Sequence, residues 1–206
     1  NYGMVLRHPV AMRFIGLQTL AFSTMLVFIT HASFIYQDWF GLSSGTFSLL
    51  FAANVSVMAI VNLANRKLLL RHPSAVLLRV AVRVQACAGA ALVACALMGA
   101  PVWAVAASII IGVGCMGAIA PNNIANTLEF FPTLGGTAAA LLGAAQFTIS
   151  GMVSALSTVL SDHTLTPIVL VMAVCSALAV VLVQGAPAAM RRELAREAEG
   201  EATENG

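Results

Sequence analysis

Charge is what this sequence has least of. Asp, Glu, Lys and Arg make up 9% of its 206 residues against 60% hydrophobic, and mean hydropathy is +0.93. Soluble domains carry about 25% charged residues, so the composition excludes that class and indicates an integral membrane protein. Carboxylates are scarcer still inside the apolar stretches. Before Arg191 only Asp38, Glu129 and Asp162 occur, each flanking an apolar segment. A proton-coupling acid of the usual intramembrane kind is therefore not expected in this chain. CxxC spacing is also absent. Cys87, Cys95, Cys115 and Cys175 lie in apolar segments and read as small packing residues, with neither a disulfide framework nor a zinc site implied. The sequence opens on Asn1 without the basic, apolar, small-residue pattern of a signal peptide, and is expected to be a piece of a longer polypeptide.

Catalytic signatures are missing as well. Thr148-Ile149-Ser150-Gly151 lacks the first glycine of an intramembrane serine protease motif, and the last apolar segment offers no histidine to act as base. Pro121-Asn122-Asn123 is not the Asn-Pro-Ala cap of a water channel. No enzyme, cofactor or metal site is expected.

What is present is six apolar segments, at residues 14–36, 46–64, 75–98, 102–128, 136–160 and 167–184. Each is near the ~20 residues that a helix needs to cross ~30 Å of hydrocarbon. The expectation is an all-α membrane protein with a six-helix bundle over residues 1–190 and a polar, disordered cytoplasmic tail over 191–206. Pro101, Pro132 and Pro167 mark helix boundaries. All ten basic residues fall on one side of the zigzag: Arg7 and Arg13; Arg66, Lys67, Arg71, Arg79 and Arg83; Arg191, Arg192 and Arg196. Because cytoplasmic connections retain positive charge, both termini are expected in the cytoplasm. Arg79 and Arg83 read as snorkelling side chains at the start of the third helix.

The stretch 112–151 organises the rest. Pro121 removes one helical hydrogen bond and frees the carbonyl of Gly117, so a bend is expected there, with Asn122 and Asn123 turned towards protein or a water-filled cavity. Helical spacing aligns Thr19, Ser23, Thr30 and Ser33 on segment one, Asn54, Asn62 and Asn65 on segment two, Asn122 and Asn126 on segment four, and Gln146, Ser150 and Ser157 on segment five. Segments three and six have little comparable polarity and are expected to face lipid. Each stripe has two readings, hydrogen bonding between helices or a polar cavity. The candidates for a substrate cavity or gate are Thr19, Ser23, Thr30, Asn54, Asn122, Asn126, Gln146 and Ser150. His31 reads as an interfacial donor off the main stripe. Gly135, Ala139 and Gly143, with Gly151 and Ala155, form small-xxx-small steps and are expected to be close-contact positions, Gly143 above all. Residues 38–53 echo residues 129–144, Asp38-Trp39-Phe40 matching Glu129-Phe130-Phe131 and Gly45-Thr46 matching Gly136-Thr137. Three helices per copy make this an inverted repeat of the kind found in secondary transporters.

Three stretches carry a resemblance: Gln37 with Phe40-Gly41-Leu42-Ser43, Phe47, Leu50-Phe51-Ala52 and Asn54; Pro121-Asn122; and Gly136-x-Ala138-x-Ala140-Leu141-x-Gly143-x-x-Gln146. With Arg7, Arg13 and Phe14, they resemble the C-terminal six-helix half of major facilitator superfamily drug:proton antiporters of the bicyclomycin- and chloramphenicol-resistance (Bcr/CflA) branch. Ala32-Ser33-Phe34 departs from that family's Ser-Pro-Phe, Ala139 replaces a common serine, and His31 replaces a small residue. The resemblance implies a multi-pass protein of the bacterial inner membrane that exports small amphipathic drugs, with the proton gradient as driving force. Its partners would be the lipid bilayer, a drug and an N-terminal six-helix half, and no nucleic acid. It also implies that helices one, two, four and five line the cavity or gates. The alternative is a non-transporting membrane interaction or assembly protein derived from such a half.

Overall fold

The structure, a computed structural model, describes residues 9–131, 135–162 and 164–204, with side chains up to Gln184. Arg7, Pro132, His163 and the side chains of Arg191, Arg192 and Arg196 lie outside the described part. The elements are α1 (Pro9–Ser33), continued by a π-helical turn (Phe34–Trp39), α2 (Ser44–Leu68), α3 (Ser74–Leu97), α4 (Val102–Gly114), α5 (Met116–Leu128), α6 (Gly135–Leu160) and α7 (Leu165–Glu204). With α4 and α5 forming one span, six helices among the described residues are long and apolar enough to cross a membrane. The last helix takes in the segment read from sequence as a polar tail.

Local chemistry sets the element ends. The π-helical turn closes where Leu42 N donates to Tyr36 O at 2.9 Å and Gly41 takes φ +65°, a conformation costly for a residue with a Cβ. Ser43 then caps α2, its hydroxyl accepting from Thr46 N. Phe28, Tyr36, Phe47 and Phe51 stack across this corner and pin α2 to α1. The interruption of the fourth span falls at Cys115, not at Pro121, which sits inside α5. Pro121 still withholds a donor from Gly117 O, and Asn62 of α2 supplies one at 3.0 Å. The side chain that answers the proline comes from another helix, and Asn122 and Asn123 are both buried against protein.

Packing follows a three-fold pairing of spans. The first span packs on the fifth and sixth, the fourth on the second and third, the third on the sixth, and the first on the fourth. Exchanging one with four, two with five and three with six maps this set onto itself, while a smaller contact between five and six has no counterpart of its size between two and three. Burial obeys the same pairing: 56% and 67% of the central window for spans one and four, 6% and 17% for two and five, 33% and 39% for three and six. Such symmetry is what a 3+3 inverted repeat produces. The outer faces of spans three and six are apolar, with Val80 and Val84 on one and Val174 and Val181 on the other exposed, as lipid contact requires.

The close approaches are elsewhere than the sequence placed them. A Cβ built on Gly143 or Gly151 would meet nothing within 4 Å, and on Gly135 only Leu128 at 4.0 Å. A small-residue stripe shows that a helix can be approached, but not from which side. The face of α6 that meets its neighbours carries Ala138, Leu142, Ser150, Ser154 and Ser157, and Gly143 is turned off it. Helices come closest at Gly117, where a Cβ would run into Met58 O, and at Gly114 and Gly89, where it would stand 2.8 Å from Val57 Cγ1 and from Ser176 Oγ.

Candidate functional site

Two polar seams cross the bundle, related by the same exchange of spans. The first joins α1 to α6. Gln18 Nε2 donates to Gln146 Oε1 at 2.9 Å, Ser23 Oγ to Ser150 Oγ at 2.9 Å, and Ser150 Oγ to Thr19 O at 3.0 Å. Further along, the Thr30 and Ser154 hydroxyls lie 2.6 Å apart, and His31 Nε2 is 2.9 Å from Ser157 Oγ. Residues at intervals near four, or multiples of it, produce this ladder, since about one turn of helix brings a side chain back to the shared face. His31 is buried within it, close to the end of α1. Its offset from the Thr19–Ser23 stripe is taken up by Ser157, which approaches from the side.

The second seam joins α2 to α5. Asn65 and Asn122 exchange amide hydrogen bonds, Asn122 Nδ2 to Asn65 Oδ1 at 2.8 Å and Asn65 Nδ2 to Asn122 Oδ1 at 3.3 Å. Asn62 reaches Gly117 O, and Ser74 Oγ donates to Asn126 Oδ1 at 2.7 Å from the start of α3. Asn123 Nδ2 crosses to Phe14 O of α1 at 2.9 Å. Such bonds contribute only about 0.6–2 kcal/mol each within a membrane, yet they fix the rotation of every helix that carries one.

The eight candidates divide by what their polar atoms do. Thr19, Ser23, Asn122 and Ser150 are buried with their hydrogen bonds made inside the bundle. Asn54 and Asn126 are buried too, but Asn54 Oδ1 and Asn126 Nδ2 have no hydrogen-bond partner among the described residues. Asn54 Nδ2 is spent on Leu50 O of its own helix. Thr30 is exposed and Gln146 half-buried, both at the edge of the α1–α6 seam. Between α2 and α5 lies an open concavity of about 500 Å³ bordered by Met58, Asn62, Met116 and Pro121. Met58 and Met116 were not among the candidates. Methionine is unbranched and polarizable and suits a surface that accepts varied apolar shapes, but helical spacing alone does not separate such a residue from core.

Gln85 was also missed. It lies fully buried in the middle of the third span, and its Nε2 is 3.4 Å from both Ala21 O of α1 and Gly112 O of α4. A lone amide on an otherwise apolar helix gives no stripe to detect. Among the described residues no cluster of His, Cys, Asp or Glu is placed to hold a metal ion.

No family model matches the chain, and no solved structure matches it. Among curated proteins it is similar to the Bicyclomycin resistance protein homolog of Haemophilus influenzae, 23% identical over 180 residues. The alignment covers 87% of the chain and 45% of the relative, so the chain spans less than half the length of the curated protein it matches. A relative of that name along most of the sequence, together with six apolar helices in three symmetric pairs, fits the chain to the C-terminal six-helix half of a Bcr/CflA-type major facilitator transporter, as its motifs implied.

Proposed function

We propose that the chain is the C-terminal half of a secondary active drug exporter, working by alternating access with an N-terminal six-helix half and driven by proton entry. The observation that carries this reading is the bareness of spans two and five. Only 6% and 17% of their windows are buried, although both hold polar seams to the spans behind them. Helices tied into a bundle by one face and bare on the other are suited to a second bundle across a central cavity. The relative's length, more than twice what the chain covers, supports the same arrangement. In this reading Asn54, Asn126, Thr30 and Gln146, with hydrogen-bonding capacity to spare or an accessible position, serve the cavity. Thr19, Ser23, Asn122 and Ser150 serve the gates, because their bonds between helices must be kept or exchanged as the halves rock. The substrates would be small amphipathic drugs.

The test is proton-driven drug uptake into inverted vesicles. The 206-residue chain alone is expected to give none, since one bundle has no partner to rock against and no mid-membrane carboxylate to carry the proton. Co-expression with a matching N-terminal half is expected to restore uptake. Robust uptake by the chain alone would reject the half-transporter reading in favour of a six-helix carrier that pairs with itself.

We further place both termini in the cytoplasm of a bacterium, the chain lying in its inner membrane, because the connection that holds Arg66, Lys67 and Arg71 is basic while the one that holds Asp162 is not. In a cysteine-free chain, Ser161→Cys is expected to react with an impermeant thiol reagent from outside intact cells and Lys67→Cys to stay protected. The reverse pattern would invert the topology.

A further inference from the structure

A groove of about 260 Å³ runs between α2 and α3, with α5 as its floor. Ala64 and Leu68 form one wall, Val80 and Val84 the other, and Cys115 and Ala118 lie beneath. Its one amide, Asn65, is already engaged by Asn122. The groove therefore offers no hydrogen bond to a polar guest, and it is smaller than the ~300–1,000 Å³ of pockets that enclose drug-sized ligands. Its shape and lining suit a hydrocarbon chain.

Charge stands at its mouth. Lys67 comes three residues after Ala64 and one before Leu68; Arg83 comes three after Val80 and one before Val84. At 100° per residue, each is therefore on the flank of its own wall. The two helices run antiparallel, so these flanks lie on the same open side, and both side chains are exposed. Arg66 and Arg71 continue the basic surface at the α2–α3 connection, while Arg79 is half-buried, its Nε donating to Ala75 O at 3.1 Å. No acidic residue occurs anywhere between Asp38 and Glu129.

We propose that this groove is a binding site for an anionic phospholipid of the leaflet facing the α2–α3 connection. One acyl chain lies along Ala64, Val80 and Val84, and the phosphate-bearing headgroup is held by Lys67, Arg83 and Arg71. Basic residues beside an apolar cleft at the membrane surface supply both halves of such recognition, a charge-assisted contact to phosphate and a dry slot for the tail. A zwitterionic lipid fits the slot equally but brings its own cation into the same positive field. The site does not depend on the chain being half of a transporter.

Native mass spectrometry of the purified 206-residue chain in detergent tests this, titrating phosphatidylglycerol against phosphatidylcholine with identical acyl chains. Each basic residue near the surface is worth about fivefold in affinity for an anionic lipid, so phosphatidylglycerol is expected to bind about tenfold or more tightly than phosphatidylcholine. K67Q/R83Q is expected to bring phosphatidylglycerol down to the phosphatidylcholine level and leave the latter unchanged. Ala64→Trp, which fills the groove from an exposed wall position, is expected to weaken both lipids. Equal binding of the two lipids by the unaltered chain overturns the proposal, as does a preference that survives K67Q/R83Q or full lipid binding by Ala64→Trp. If K67Q/R83Q does not fold, the unaltered chain and Ala64→Trp decide the matter.

Discussion

Gly117→Ala is expected to destroy the native packing of this bundle, although it adds a single methyl group. The new Cβ would run into Met58 O and stand 3.0 Å from Asn62 N, and both are backbone atoms of a neighbouring helix that cannot rotate away. Relief requires α2 to move as a body. That movement would break the Asn62 bond to Gly117 O, the carbonyl that Pro121 leaves without its helical donor. Overpacking costs about 1–3 kcal/mol, and an orphaned buried carbonyl a further ~1–3 kcal/mol. A sum of that size is comparable with a large part of a domain's stability. Gly143→Ala is the control, because its Cβ would meet nothing within 4 Å. Size-exclusion profiles and melting curves in detergent are expected to show loss of the monodisperse peak for Gly117→Ala and none for Gly143→Ala. A Gly117→Ala chain that melts within a few degrees of the unaltered one would mean that α2 and α5 do not approach in this way.

Asn122→Leu and Asn65→Leu are each expected to lower stability by about 1–3 kcal/mol, because either change leaves the other amide buried without its partner. Changing both together is expected to cost less than the sum of the single changes, since no orphan then remains. The coupling from such a double-mutant cycle should be at least ~1 kcal/mol, towards the upper end of what single hydrogen bonds contribute in membranes, because two bonds are exchanged. Asn54→Leu provides the contrast. It removes a bond to its own helix, an oxygen without a partner and a polar neighbour of the Tyr36 hydroxyl, none of them an exchanged amide pair, so less stability should be lost than at either seam amide. Strictly additive losses at Asn65 and Asn122 would show that the two amides are satisfied separately.

The comparison of these residues shows how far a sequence pattern reaches. The four-residue spacing of Thr19 and Ser23 and of Gln146 and Ser150 identified correctly which side of each helix is polar. It did not identify the neighbour, because a stripe is a property of one helix and a hydrogen bond belongs to two. His31 was displaced from the ladder for the same reason: it is one residue, about 100°, from Thr30 on α1, yet Ser157 of α6 meets it. Pro121 marked a carbonyl in need of a donor, that of Gly117, and the donor was 55 residues away in sequence, on Asn62.

The sequence by itself determined the class of molecule, the number of spans and nearly all their limits, because transfer of a ~20-residue helix into hydrocarbon is decided by local apolar content and needs no partner. It also carried the repeat: the exchange of spans one to three with four to six, faint in residues 38–53 and 129–144, returns in the packing and burial of the whole bundle. Which glycines let backbones touch, which amides pair, and where lipid can enter between α2 and α3 were decided only by the tertiary structure. Lipid is as apolar as leucine, so no hydrophobic driving force selects one helix face over another; close fit and hydrogen bonds do. Those depend on atoms from distant parts of the chain arriving at hydrogen-bond distance, as Asn62 Nδ2 and Gly117 O do at 3.0 Å.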